Sequence, residues 1–189
     1  MRKAVKKRKI QPDEDKLREL VIHIARQSEG DMFFGAVKLT KLLFFADFLA
    51  YRAYGRPITG SEYQKLEYGP APQQLKPLLR QMEKRKLIAV RPTELGGYTQ
   101  QRTLALREPD LGGFSAKEIA LVDDLIRRFW NKSASEVSDL SHRFTGWQLA
   151  KRGETIPYSV ALIGTREPTQ LERRRGLKLE ALAGAHLAS

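Results

Sequence analysis

Leu17, Leu20, Val21 and Ile24 recur at helical spacing behind a run of acids, Asp13, Glu14 and Asp15. Carboxylates favour the positive end of a helix dipole, so the pattern predicts a first helix over about residues 13–28, closed by Gly30. Residues 37–55 form the most apolar stretch. Leu39, Leu42, Leu43, Ala46, Leu49, Ala50 and Ala53 make one stripe, and Phe44, Phe45, Phe48 and Tyr51 widen it beyond a single face. A helix apolar on several sides is normally packed by several neighbours. Gly55 suits its C-cap, and Pro57 stops continuation.

A rigid corner follows, LEYGPAPQQL at residues 66–75. Pro70 and Pro72 suit the first turn of a third helix, where a missing N–H costs little. That helix is expected to bury Leu75, Leu78, Leu79 and Met82, and Pro77 is expected to kink or split it. LIAV and TLALR, on either side of Gly96 and Gly97, predict a β-hairpin. Capping boxes are then expected at Ser115 with Glu118, Ser133 with Glu136, and Thr145 with Gln148. The helix after Ser115 carries a stripe of Ile119, Val122, Ile126 and Phe129.

The expected fold is therefore mainly α with one small β-hairpin (α+β). It reads as a single compact helical domain over residues 12–164, between a basic arm at 1–11 and a basic tail at 165–189. Within the tail, residues 177–188 could form a short helix or stay loose.

Composition narrows the classes. The chain has 189 residues, 41% hydrophobic and 30% charged, which suits a soluble globular protein. No apolar run approaches the roughly 18 residues of a membrane span, and no apolar segment behind the basic start suggests a secretory signal. The chain contains no cysteine, which excludes disulfides, thiolate metal sites and a cysteine nucleophile, and fits a cytoplasmic location. The net charge of +12 is concentrated in Arg2, Lys3, Lys6, Lys7, Arg8 and Lys9, with a second cluster at Arg173, Arg174 and Arg175. Such ends either solubilise the chain or attract polyanions, nucleic acid or an acidic protein among them.

Candidate chemistry is sparse. His23 lies between apolar residues of the first helix and reads as a core-edge residue. His142 stands near Ser138, Asp139 and Ser141, but residues so close on one helix do not converge as a hydrolytic triad does. It is expected to end its helix, bonding the last carbonyls or a polar neighbour. Metal-ligand spacings and phosphate loops are missing, so neither a metal nor another cofactor is expected. One nucleic-acid reading remains: helices followed by a hairpin is the order of a winged helix-turn-helix. Lys76, Arg80 and Lys84 would supply phosphate contacts, and Gln73, Gln74 or Gln81 would read bases. A solvated helix face explains the same cations.

Three segments, in order, carry a family resemblance: KLTKLLFFADFLAYRAYGRPI, EYQKLEYGPAPQQL and SASEVSDLSHRFTGWQLAKRGETIPY. Together they resemble the SocA-like or GepA-like antitoxins of the Panacea domain family. One departure is Leu66, which stands where that family often has tryptophan. The resemblance implies a non-enzymatic antitoxin, of bacterial or phage origin, that neutralises a toxin encoded nearby. Direct inhibition, chaperone-like action and delivery to a protease are all open routes. It also marks Lys38, Lys41, Phe45, Tyr68, Gly69, Pro70, Ser138, His142, Trp147, Pro157 and Tyr158 as motif residues. The corner either orients a helix on the core or faces a partner. The expected partners are the toxin, with nucleic acid at the basic ends and a homodimer left open.

Overall fold

The computed structural model describes residues 10–163. The basic arm, the cluster at Arg173–Arg175 and the candidate terminal helix lie outside those residues. Helix α1 spans Glu14–Gln27, with the Asp13 side chain accepting the Lys16 N–H as N-cap. One face buries Leu17, Leu20, Val21 and Ile24, as their spacing requires.

Helix α2, Ala36–Tyr54, is the hub. It ends at Gly55, whose φ of +73° is the left-handed conformation glycine reaches without strain. α2 packs between two apolar clusters. Leu39, Leu42, Leu43 and Ala46 join the main core. Phe44 and Phe48 face a second, aromatic cluster with Tyr63, Ile156 and Tyr158. There Phe44 meets Phe144 edge-on at 5.1 Å, and Phe48 lies 4.7 Å from Tyr158. The width of the apolar stripe in α2 thus reflects two cores served by one helix.

The corner differs from expectation. Tyr63–Leu66 (β1) and Gly69–Pro72 (β2) form a tight antiparallel hairpin, so Pro70 and Pro72 are strand residues rather than a helix start. Proline suits β2 because that strand is a sheet edge, where a missing N–H breaks no ladder. The other edge of β1 pairs with Thr155–Ile156 (β5, counted in chain order), closing a small sheet β2-β1-β5. A second β-sheet therefore joins the one expected hairpin.

Helix α3 runs unbroken over Leu75–Lys84. Pro77 is its third residue, where the backbone N–H has no intrahelical acceptor, so the expected kink is absent. The expected hairpin is β3 (Ile88–Leu95) and β4 (Tyr98–Ala105), joined by Gly96 and Gly97 at positive φ. Its ladder extends through the polar residues between LIAV and TLALR.

Helices α4 (Ala116–Phe129) and α5 (Ala134–His142) both start with complete capping boxes, at Ser115 and Ser133. The third expected box does not form. Helix α6, Thr145–Leu149, is capped by Phe144 without a side-chain bond, so Thr145 is already inside it. A 3₁₀ turn, Tyr158–Leu162, closes the aromatic cluster. Gly146 lets α6 lie on this turn, since a Cβ there would stand 2.2 Å from Val160 Cγ2.

Candidate functional site: the Gly69 corner

Elements distant in sequence meet at the β1–β2 hairpin. Its tip, Glu67 and Tyr68, leads into Gly69 at φ +97°. A Cβ at Gly69 would lie 2.6 Å from Ser141 Oγ and 2.7 Å from Lys41 Nζ. The backbone thus crosses directly over a lysine from α2 and a serine from α5, which only glycine permits.

Lys41 is 2% exposed. Its ammonium donates to the Pro70 carbonyl at 3.2 Å and has no carboxylate partner among the described residues. Burial pushes its pKa down to about 8. Ser141 Oγ donates to the Ser138 carbonyl at 2.7 Å, and Ser138 Oγ donates to the Tyr68 carbonyl at 3.4 Å. The second of these bonds ties α5 to the hairpin tip, while the first lies within α5.

His142 ends α5 as expected, but its ring bonds no helix carbonyl among the described residues. It stacks on Trp147 of α6 with centroids 4.1 Å apart and planes 19° from parallel. His142 Nε2 and Trp147 Nε1 are both buried without a hydrogen-bond partner among the described residues. Lys65 of β1 holds its ammonium 4.3 Å from the indole centroid. Burial, then the Lys41 and Lys65 cations, hold the imidazole below its ordinary pKa against an opposing pull from Asp139.

The elements around the corner expose both apolar and charged side chains. Tyr68 is 70% and Leu149 71% exposed, with Leu66 and Leu140 also turned outward. Arg152 bridges to Glu67 at 3.2 Å across the loop leading to β5.

So the corner gathers Lys41, Tyr68, Gly69, Pro70, Ser138, His142 and Trp147. The other motif residues serve elsewhere. Lys38 is buried in an ion pair with Asp31 at 2.7 Å and donates to the Phe129 carbonyl, 3.0 Å away. Burial lowers its pKa and Asp31 opposes that shift. Phe45 packs against both cores. Pro157 precedes the 3₁₀ turn, and the Tyr158 hydroxyl donates to the Ser61 carbonyl at 2.6 Å. Nearby, the fully buried Asp47 accepts the Thr59 N–H at 2.6 Å and faces the Tyr63 hydroxyl at 2.8 Å. Its burial raises its carboxyl pKa.

Sequence reasoning missed Asp31, Asp47 and Lys65. A carboxylate between Ala46 and Phe48 in the most apolar helix was a readable signal for Asp47. His23, read as a core-edge residue, is 3% exposed and sits 2.7 Å from Asp123. Of the proposed base readers, Gln73 bonds Thr155, Gln74 stands at the N-cap position of α3 with its Oε1 buried and making no cap bond, and Gln81 is exposed.

The fold and corner define a small α+β protein in which no group of His, Cys, Asp or Glu among the described residues could hold a metal ion. The family model described as antitoxin SocA-like, Panacea domain, matches residues 39–148. That is more than half of the 189 residues, and the chain belongs to this family. The family gives the chain an antitoxin-type role. No curated protein and no solved structure matches the chain significantly. No helix among the described residues is long and apolar enough to cross a membrane.

Proposed function

We propose that this protein neutralises a cognate toxin, encoded nearby in a bacterial or phage genome, by binding it directly in the cytoplasm. The observation that carries the reading is the family match, which spans the hairpin tip, α5 and the start of α6. Exposed Leu66, Tyr68, Leu140 and Leu149 on those elements support direct contact over an indirect route. Aromatic and aliphatic groups at a rigid corner lose little entropy on docking. Residues 12–164 act as one binding unit that performs no chemistry of its own.

The test is co-expression with the product of the neighbouring gene. Growth arrest by the neighbour alone, relieved by this chain with a stable co-purified complex, is the expected result. A harmless neighbour, or rescue without a complex, overturns direct neutralisation.

A second reading is winged-helix DNA binding. Lys76, Arg80 and Lys84 are exposed along α3, just before the β3–β4 hairpin, and make no ion pair among the described residues. Binding of duplex DNA that weakens steeply with salt, and is lost when these three become alanine, would favour it.

A further inference from the structure

We propose that the Gly69 corner receives a carboxylate side chain, an Asp or Glu of the protein partner. This deepens the antitoxin reading and rests on it.

Three hydrogen-bond donors, Lys41 Nζ, Lys65 Nζ and Trp147 Nε1, lie about the corner with few acceptors, beside a His142 Nε2 that donates or accepts according to tautomer. Lys41 Nζ has one carbonyl acceptor for its three N–H bonds. Among the described residues, Lys65 Nζ reaches only the Gln148 carbonyl, at 3.5 Å. His142 Nε2 and Trp147 Nε1 are buried without a partner among the described residues. A buried donor without an acceptor is costly, so each such group calls for a partner, whether a water, an ion or a ligand group.

The neighbouring acids are engaged elsewhere. Glu67 pairs with Arg152, Glu154 accepts the Lys151 N–H, and Glu136 closes the α5 capping box. Asp139 is the remaining acid acting on the imidazole, and it is exposed on α5. The local excess is of donors and positive charge, so the missing group is an anionic acceptor.

The rim decides between a carboxylate and a phosphate. Phosphate-backbone sites are bordered by further cations. Here the hairpin tip carries exposed Leu66 and Tyr68, and its one bordering cation in an ion pair, Arg152, is neutralised by Glu67, which suits a protein segment with one acid among apolar residues. A charge-assisted bond also gives specificity, because an amide in place of the acid still accepts the N–H but leaves the charge of the ammonium uncompensated.

The test uses the full chain carrying Trp130→Phe, which leaves Trp147 as the sole indole of the two tryptophans. Its emission is titrated with a blocked Leu-Glu-Leu peptide, the matching Leu-Gln-Leu peptide and inorganic phosphate. The expected result is a saturable change with the glutamate peptide, at least about tenfold tighter than with glutamine, the weight of one charge-assisted bond. Lys65→Met and Lys41→Met should each remove that preference while the circular dichroism of the fold is kept. Equal affinity for both peptides, no change with either, or an equal response to phosphate overturns the proposal, the last in favour of nucleic acid. The titration needs no toxin, so it stands apart from the co-expression test. If the wild-type chain holds the neighbour's product and Lys65→Met holds it equally well, the site falls while the antitoxin reading stands.

Discussion

Lys41→Met should stabilise the protein at neutral pH. The ammonium is 2% exposed and lacks a carboxylate among the described residues, and burial lowers its pKa from 10.5 to about 8. Each pKa unit is worth about 1.4 kcal/mol, so carrying the charge at pH 7 costs the fold roughly 3 kcal/mol. Methionine has similar length and no charge. It forfeits the bond to the Pro70 carbonyl, worth about 1 kcal/mol. The net gain at pH 7 is about 2 kcal/mol, or a Tm rise of roughly 4–8 °C for a chain of this size.

The pH dependence has a definite sign. The folded pKa lies below the unfolded one, so between about pH 8 and 10.5 the unfolded chain binds more protons. Wild-type stability then rises with pH relative to the variant. The advantage of Lys41→Met is full below pH 8 and fades by about 10.5. Urea denaturation of both proteins at a series of pH values measures this. A Lys41→Met protein less stable at pH 7 by about 2 kcal/mol or more would refute the reasoning, because it would mean the cation is already compensated within the chain. The stabilised variant should also be the poorer binder, the usual trade where a strained group serves a site.

Other substitutions probe the frame. Lys38→Met leaves Asp31 buried without its cation and should cost about 3–5 kcal/mol in urea denaturation, and Asp31→Leu added to it should restore much of that loss. Gly69→Ala must adopt φ +97° and crowd Ser141 and Lys41, so a loss of about 1–3 kcal/mol is expected, with a lowered denaturation midpoint. Gly146→Ala should cost about 1–3 kcal/mol by pressing α6 off Val160, and the near-ultraviolet dichroism of the aromatic cluster should weaken with it.

What could be read along the chain was what short-range physics controls. The caps at Asp13, Ser115 and Ser133, the end of α2 at Gly55 and the Gly96–Gly97 turn each depend on neighbours within a few residues. Each of them formed. Two local expectations failed, the Thr145 capping box and the Pro77 kink, and the largest error arose where a distant partner chose between local options. Pro70 and Pro72 fit either a helix start or an edge strand, and β1, itself pinned by Tyr63 against Ile156, selected the strand. Pro77 threatened α3 only until Gln74 proved to be its cap, which placed the proline in the first turn.

The corner follows the same rule. Most of its members were visible as motif residues, but Lys65 and the roles of the others were not. Lys38 and Lys41 lie one turn apart on α2, yet Asp31 neutralises the first, while among the described residues the second bonds only the carbonyl of Pro70, brought back by the hairpin. Charge, spacing and residue type are nearly equal for the two lysines. Burial and the choice of partner separate them, and both are properties of chain segments that meet only once the molecule has folded.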